Sequence, residues 1–200
     1  MKTSLKTVVT TALTALVLSA SVFTSVAAEN VKVLEMASAN PEIKKIEISG
    51  NVKVELVQSY HEQVMLADDD MDKVSIKQKG YTLIINSTEK RPVTVTVYVH
   101  EPYRITASDQ ASVRTLGKFN VKHLQVMLKD DAVASIKAKT ESLYTVINGR
   151  ADLELKGSTA NHIIKANGLA KLKTDEFAAL KTDHVVDTEV AMVAKPAKKN

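Results

Sequence analysis

Three aspartates alternate within one short acidic stretch of the sequence. Asp68, Asp70 and Asp72 have the spacing of the first three ligands in an EF-hand calcium loop. Such a loop also needs glycine at its sixth position and a bidentate glutamate at its twelfth, but Lys73 and Lys79 stand there. The pattern therefore favours a solvated acidic turn, and an irregular divalent-cation site on the three aspartates is the alternative.

The histidines are the second group of side chains able to bind a metal. No two of them have the spacing of helical zinc ligands, but His162 and His184 are separated by about one period of the repeat described below. They can therefore stack on one face, where two imidazoles without a third ligand are more typical of surface polar residues. We predict no metal, no cofactor and no catalytic residue. The histidines are His61, His100, His123, His162 and His184.

The sequence lacks the patterns that support common catalytic nucleophiles. There is no cysteine, so thiolate chemistry, thiolate metal sites and disulfide bonds are excluded. No serine lies in a Gly-x-Ser-x-Gly elbow, and the six glycines form no phosphate-binding loop. Since tryptophan is absent, a sugar-stacking platform would need the tyrosines to cluster. The tyrosines are Tyr60, Tyr81, Tyr98, Tyr103 and Tyr144.

Two sets of charged residues, one acidic and one basic, can approach one another across successive repeats. β-Helix enzymes that act on acidic polysaccharides place acids and bases on one outer face in this way. A solvated solenoid needs outward charges in any case, so the sequence favours a protein without enzymatic activity. The acidic set is Asp130, Asp131, Asp152 and Glu154, and the basic set is Lys129, Lys156 and Lys173.

Short β-strands are the elements predicted to position these residues, because apolar and polar residues alternate along the chain. The segment 93–99 is the clearest strand, since it is rich in β-branched residues and is bracketed by Pro92 and Pro102. Helix is predicted only in short pieces, as one turn at 69–73 and as a segment at 174–180 that fits a strand equally well. The other predicted strands are 45–48, 52–56, 64–66, 74–76 and 81–85.

From about residue 105 the chain repeats a short pattern that ends in a small apolar residue, an outward residue and a large aliphatic residue. Successive repeats begin 23, 17, 19 and 20 residues apart. A period near 20 favours a solenoid, because so short a unit must stack on its neighbours to bury an apolar face. We therefore predict an all-β, parallel β-helix with coils of about 20 residues, and an ordinary meander or sandwich is the alternative. The repeats are 108–113, 131–136, 148–153, 167–172 and 187–192.

Asn148 and Gly149 distinguish these folds. Asn-Gly between alternating apolar residues is the strongest local signal for a two-residue hairpin. However, Asn167 and Gly168 repeat the pair 19 residues later, in the same position before an Ala-x-Leu strand. A coil corner recurs in phase with a repeat, whereas a hairpin tip has no reason to do so. We predict that the strands on either side pair with neighbouring coils and not with each other.

Several segments occur in a characteristic order, namely Ser49-Gly50-Asn51-Val52-Lys53-Val54-Glu55-Leu56, then Leu83-Ile84-Ile85, then Val93 to Val99 with Pro102, and then the Asn-Gly-x-Ala coils. This order resembles the GIN-type domain family, described as the head of candidate autotransporter adhesins, over about residues 43–194. Family turns are typically rich in serine and glycine, whereas two of the turns here read Ser-Asp-Gln and Lys-Asp-Asp. The resemblance implies a single-stranded right-handed parallel β-helix in an exported bacterial protein, and it implies no reaction.

The N-terminus is predicted to be a signal peptide. Lys2 and Lys6 precede an apolar run over 8–21, and small residues at 26–28 suit cleavage after Ala28. A membrane anchor is the alternative, but the run is short for a span of about 20 residues and is broken by threonines and serines. The mature protein is then periplasmic or secreted, without a membrane span. The predicted regions are a signal peptide at 1–28, a lead-in or cap at 29–42, the β-helix domain at 43–194 and a basic tail at 195–200.

The net charge of +4 does not indicate nucleic-acid binding. Five lysines lie in the predicted leader and tail, so the rest of the chain has no basic excess. We predict an exported, non-enzymatic β-helix domain that presents a surface for binding or adhesion at the bacterial envelope, with an unknown protein or glycan as ligand. The alternatives are a polysaccharide-active enzyme on the same fold and an envelope structural protein that forms homo-oligomers through its coil ends.

Overall fold

The computed structural model describes residues 31–35 and 42–185. Strands contain 68% of them, which confirms the all-β prediction, and the one helical element among them is the 3-10 turn Asp68–Asp70. None of the described helical structure is long or apolar enough to cross a lipid bilayer. The strands are β1 Val31–Glu35, β2 Lys45–Gly50, β3 Val52–Gln58, β4 Gln63–Ala67, β5 Ser75–Lys79, β6 Thr82–Ser87, β7 Val93–Val99, β8 Arg104–Ala107, β9 Ser112–Leu116, β10 Phe119–Asn120, β11 His123–Leu128, β12 Val133–Ile147, β13 Asp152–Ala166 and β14 Lys171–His184.

Some predictions concern residues outside this part of the chain. The signal peptide at 1–28, the basic tail at 195–200 and the repeat at 187–192 all lie outside the described residues. Within the predicted cap at 29–42, the described backbone includes β1. The segment 174–180, which fitted a helix or a strand, belongs to strand β14.

The fold is a stack of layers, each made of a strand, a tight corner and a second strand. In one layer β2 turns at 49–51 into β3. The layer β6–β7 pairs with it on one side and the layer β8–β9 on the other. All these pairings are parallel, so the first strands of the layers form one ladder and the second strands form another.

From β9 onward the layers become longer coils with a third side. β12 pairs with β9, β10 and β11 in turn, and on its other edge it pairs with β13. Paired positions such as Val133 and Asp152, or Thr140 and Thr159, are 19 residues apart. Because each coil stacks on the one that precedes it in the chain, the sequence repeat corresponds to the spacing of coils.

The stack is not parallel throughout, so the β-helix predicted for 43–194 does not describe all of it. β4 pairs antiparallel with β7 and with β1, and β5 pairs antiparallel with β6. Only Gly80 and Tyr81 connect β5 to β6, and so short a connection permits antiparallel neighbours alone. The layer β2–β3 also lies out of chain order, between β6–β7 and β8–β9. The result is a curled, mixed sheet in which coils follow chain order only from β8.

Five of the corners place one residue in the left-handed backbone region, which glycine and aspartate tolerate better than most residues, whereas the β6–β7 connection over 88–92 has none. The corners stack through the backbone, since the amide of Arg150 donates to the carbonyl of Asp130 at 2.8 Å and that of Leu169 donates to the carbonyl of Gly149 at 2.8 Å. The left-handed corner residues are Gly50, Asp109, Asp130, Gly149 and Gly168.

Asn148 and Gly149 form a coil corner, as predicted. The end of β12 pairs with β11 and β13, and the start of β13 pairs with β12 and β14. The phase predicted for the repeat at 131–136 is wrong by two residues, because Val133 pairs with Ser112 and the corner therefore begins at Lys129. Apolar residues alternate at Ala132, Ala134 and Ile136, and a shift by two residues keeps the same side chains on the same face of a strand, so the sequence permitted either phase.

Two glycines allow neighbouring layers to approach closely. A Cβ at Gly157 would overlap the carbonyl oxygen of Ala138, and a Cβ at Gly50 would overlap that of Ser87. Both glycines also have positive φ, 105° and 77° respectively. An L-side chain at either position therefore meets both a steric and a conformational penalty.

Alternate residues of the strands point into the space between the ladders and form one core. Ile46 pairs with Leu83 on one side and with Ile105 on the other, and all three are fully buried. The packing thins at the last described coil, where Leu169 and Leu180 are 75% and 90% exposed. The centre of the stack is therefore the rigid part of the molecule, and β14 is its least covered strand.

Candidate recognition site

The predicted acidic and basic sets do not converge on one point. Arg150 donates to both carboxylate oxygens of Asp131, at 2.6 and 2.7 Å, along the stacked corners. Asp130 accepts the backbone amide of the neighbouring corner residue, Lys129 lies in the same corner, and Asp152 pairs with β14 on the outside of the coil. The hydrogen bonds from Arg150 lower the pKa of Asp131, so this carboxylate serves as one half of an ion pair between coils.

Glu154 belongs to a separate cluster on the outer face. It accepts a hydrogen bond from Ser135 at 2.8 Å, and it lies 3.4 Å from the ammonium groups of Lys156 and Lys173. The bond from Ser135 and the two lysines lower the pKa of Glu154, while Glu176 and Glu154 raise that of Lys156. Both shifts move away from neutral pH, whereas acid–base catalysis needs a pKa near the working pH. These charges link neighbouring coils as ion pairs.

His162 and His184 do come together, at the end of the described stack. Both line a cavity of about 450 Å³. His162 is buried, its Nε2 lies 3.1 Å from Thr145 Oγ1, and its ring meets Phe177 edge-on at 5.4 Å. Burial, with repulsion from His184, lowers the pKa of His162 to about 4. Among the residues whose side chains the structure describes, no three histidine, aspartate or glutamate residues are placed to hold a metal.

The acidic stretch after β4 forms a turn. Asp68–Asp70 is one turn of 3-10 helix, and Lys73 Nζ lies 2.9 Å from Asp70 Oδ1. That bond, together with the charges of Asp72 and Asp69, raises the pKa of Lys73. The lysine in the position where an EF-hand needs glycine therefore neutralises part of the acidic turn.

A different cluster gathers aromatic and charged side chains on the side of the N-terminal layers opposite the corners. Tyr60 packs on the His100 ring, with centroids 4.7 Å apart and planes tilted by 40°. Glu42 Oε1 lies 3.0 Å from His100 Nδ1 and 2.9 Å from Lys44 Nζ. We name this cluster the tyrosine platform. Its members are Glu42, Lys44, Tyr60, Tyr81, His100, Glu101 and Tyr103.

Topology brings the members of the tyrosine platform together. Tyr60 follows β3 and His100 follows β7, whereas Lys44 precedes β2. The amide of Lys44 donates to the carbonyl of Tyr81, and the amide of Tyr103 donates to the carbonyl of Lys44, both at 2.9 Å. The strand ends of three layers thus meet where the chain passes from the second ladder to the first.

Backbone contacts fix the platform before any ligand arrives. The carboxylate of Glu62 accepts hydrogen bonds from the amides of Ile43 and His100, at 2.8 and 3.2 Å. The side-chain amide of Gln58 donates through Nε2 to the backbone carbonyls of His100 and Asn120, at 3.1 and 3.0 Å. It therefore connects the platform to β10. Because both loops are held by partly buried hydrogen bonds, their side chains are preorganised.

The platform combines exposed rings with balanced charge. Tyr60 and Tyr81 are 86% and 60% exposed. The hydrogen bond from Lys44, with a second from His100, lowers the pKa of Glu42 and keeps it charged at neutral pH. Lys44 also lies 3.9 Å from Glu101. The arrangement offers flat apolar rings beside fixed acceptors and a donor, which suits recognition more than bond cleavage.

Three of the five tyrosines thus lie at strand ends that meet, namely Tyr60, Tyr81 and Tyr103, and the ring–ring contact described among them is that of Tyr60 with His100. Tyr98 lies on β7 and Tyr144 on β12, and both are half-buried within strands. Glu42, Lys44 and His100 were not among the predicted site residues. The available signal was their position immediately next to strand ends, but only the stacking order of the layers shows that these ends meet.

The comparisons with known proteins agree with the fold. A protein-family model described as "Putative auto-transporter adhesin, head GIN domain" matches residues 42–194. No curated protein matches the chain. A "putative adhesin" from Bacteroides fragilis has a similar structure, with a TM-score of 0.64 and 13% identity over 77% of this chain and 74% of that one.

Two solved structures from Parabacteroides distasonis are also similar. One, described as a "putative adhesin", has a TM-score of 0.58 at 13% identity and covers 77% of this chain and 76% of its own. The other, described as a "putative lipid binding protein", has a TM-score of 0.56 at 12% identity and covers 78% of each chain. Likeness at such low identity shows a shared fold.

Proposed function

Because the chain belongs to the GIN head-domain family of candidate auto-transporter adhesins, we propose that it is a non-enzymatic recognition domain of the bacterial envelope. The tyrosine platform is the surface that binds the ligand. The observation that carries this proposal is the 86% exposure of Tyr60 beside the ring of His100, a residue whose backbone amide is bonded by Glu62. An exposed aromatic side chain fixed in advance binds at a small entropic cost.

The charge clusters support a binding role without catalysis. Asp131 and Glu154 are each bonded to cationic partners, and their pKa values are lowered. Hydrolysis of a glycosidic bond typically needs a carboxylic acid whose pKa is raised, beside a second carboxylate. A supporting experiment is incubation of the purified mature chain with acidic and neutral polysaccharides. Release of reducing ends above that of a heat-denatured sample would contradict the proposal.

Adhesion is tested by retention on surfaces. Beads coated with the mature chain are passed over mucin, extracellular-matrix proteins and isolated bacterial envelopes. We expect retention on at least one surface, and we expect Tyr60→Ala to reduce it. Tyr144→Ala is the matched control, since Tyr144 lies within β12 away from the platform. Equal retention of both variants and the wild type would rule out the platform as the binding surface.

Export and the finer fold complete the proposal. The predicted leader directs the chain to the periplasm or the medium, and the mature chain begins after Ala28. N-terminal sequencing of the protein recovered outside the cytoplasm tests this, and a sequence that begins within 1–28 would contradict it.

The 19-residue register between β12 and β13 supports a right-handed parallel β-helix from β8 onward, because parallel crossovers are almost always right-handed.

The exposed last strand favours a second role, self-association through the coil end. β14 pairs with β13 on one edge, and its Leu180 is 90% exposed. A second copy that adds its own edge strand would continue the ladder and cover this side chain. Light scattering over a range of concentrations tests the idea. A mass that remains monomeric at the highest concentration would refute it.

A further inference from the structure

We propose that the ligand of the tyrosine platform is an uncharged sugar ring within a glycan, an assignment that rests on the recognition role proposed above. Sugar rings carry an apolar face of C–H groups and a rim of hydroxyl groups. The platform offers an aromatic ring for the C–H face and charged side chains for the hydroxyl groups. The two observations are independent of one another.

Tyr60 supplies the surface for the C–H face. Its ring contacts His100 at a tilt of 40° and a centroid distance of 4.7 Å, and the 86% exposure of Tyr60 leaves most of the ring open to solvent. A ring supported from below keeps its orientation when a ligand arrives. Tyr81 is 60% exposed in the adjacent layer, where its carbonyl accepts the amide of Lys44 at 2.9 Å, and it supplies a second aromatic ring beside the charged groups.

The charged residues supply partners for the hydroxyl groups. Lys44 and His100 both contact Oε1 of Glu42, at 2.9 and 3.0 Å, and the side chain of Glu42 is 39% exposed. A carboxylate in this state accepts a hydrogen bond from a hydroxyl group, and charge-assisted bonds of this kind are strong. Glu101 adds a second acceptor, since it is 3.9 Å from Lys44 and its side chain is 60% exposed.

Charge balance selects an uncharged sugar. Glu42 and Glu101 flank the single ammonium group of Lys44, so an anionic sugar such as a sialic or uronic acid would meet two carboxylates. The nearby cations, Lys45 and Arg104, lie 5.8 and 6.0 Å from the ring of Tyr103. Both cations lie against Tyr103, and Arg104 Nε also donates to Gln125 Oε1 at 2.8 Å, so the carboxylates of Glu42 and Glu101 are the charges described beside Lys44.

Glu62 is a positioning residue for this site. It bonds the amides of Ile43 and His100, which adjoin Glu42 and carry the imidazole under Tyr60. Glu62→Gln keeps one acceptor oxygen and is expected to weaken binding less than Glu62→Ala. A purely structural role would lower the melting temperature of both variants without changing the affinity of the folded protein.

The test is a glycan array with neutral, sialylated and sulfated oligosaccharides, probed with the mature chain and followed by calorimetry on the best neutral glycan. We expect neutral glycans to bind preferentially and Tyr60→Ala to weaken binding about tenfold or more, while Tyr60→Phe stays within about threefold because the stacking ring is retained. Preference for acidic glycans, or equal affinity of Tyr60→Ala and the wild type, would overturn the assignment.

A second measurement separates this assignment from the recognition role itself. Surfaces that retain the wild type are treated with periodate, which oxidises vicinal diols of glycans. Loss of retention supports the sugar ligand. Retention that survives periodate but is still reduced by Tyr60→Ala would refute the sugar ligand and leave the recognition role standing. Retention unaffected by Tyr60→Ala on every surface would refute both.

Discussion

The two halves of the stack use the side opposite the corners in different ways. In the C-terminal coils, backbone fills this side, with β10 pairing the middle of β12 and the middle of β12 pairing that of β13. In the N-terminal layers, the same side holds loops that carry Tyr60 and His100. The ladders beside it are alike in both halves. Where the coil has no strand on its third side, loop side chains become available for recognition.

Substitution of Gly157 is expected to break the C-terminal half most severely. Gly157→Ala places a Cβ against the carbonyl of Ala138 at a φ of 105°, and we expect a loss of about 4 kcal/mol in the free energy of unfolding. Urea denaturation measures it. Gly80→Ala is the control, because Gly80 also has positive φ but its Cβ meets open space, and it should cost about 1 kcal/mol.

The equivalent change in the N-terminal half sharpens the comparison. Gly50→Ala meets the carbonyl of Ser87 in the same manner. If the two halves share one core, both alanine variants should unfold in a single transition at a lower urea concentration. Two separate transitions in either variant would show that the halves are independent folding units.

Acid is expected to weaken the C-terminal end before the centre of the stack. The pKa of His162 is about 4 in the folded protein, below its ordinary value of 6.5, so the unfolded state binds the proton more readily. The free energy of unfolding is therefore at its full value above pH 6.5. It decreases as pH falls toward 4, by about 3 kcal/mol in total. Thermal unfolding between pH 4 and 7 measures this dependence.

His162→Leu should remove most of that pH dependence, whereas His61→Gln, at an exposed position, should leave it unchanged. Hydrogen exchange, expressed as protection factors relative to the chemical exchange rate at each pH, should show lower protection of β14 at pH 4.5 than at pH 7. The protection of β2 and β3 should be unchanged. A uniform loss of protection over all strands would contradict a local effect of His162.

The smallest effect is expected for the corner ion pair. Asp131→Asn removes a bidentate partner of Arg150 that is open to solvent, where side-chain entropy and screening cancel most of the attraction. The melting temperature should fall only slightly, and the difference from wild type should shrink further in 1 M salt. A loss comparable to that of Gly157→Ala would mean that side chains, and not backbone contacts, hold the corners together.

The C-terminal coils were predictable because chain neighbours are also spatial neighbours there. Asn148 and Asn167 occupy equivalent corners 19 residues apart, and the second donates to the first at 3.2 Å. In the N-terminal half, Ser49 bonds Asn86, 37 residues away, and the amide of Gly50 bonds Asp109, 59 residues away. Contacts at such long and unequal sequence separations produce no short sequence repeat. The mixed sheet could therefore not be predicted from the spacing of residue types.

The tyrosine platform was only partly predictable for the same reason. The requirement that tyrosines cluster follows from composition, and the structure places Tyr60, Tyr81 and Tyr103 at strand ends that meet, with Tyr60 against His100. The pairing of His100 with Glu42 depends on β2–β3 being inserted between two layers that follow it in the chain. The sequence shows which side chains are available for a site. It does not show the order in which the layers stack, and that order decides which side chains meet.

The central position of the β2–β3 layer has a mechanical consequence. Tension applied to the chain at the N-terminal end of β2 would have to shear two parallel ladders at once, one shared with β6–β7 and one with β8–β9. Tension at the C-terminal end of β14 would peel a single ladder, one hydrogen bond after another. A molecule held at the N-terminal end of β2 would therefore resist pulling far better than one held at the C-terminal end of β14.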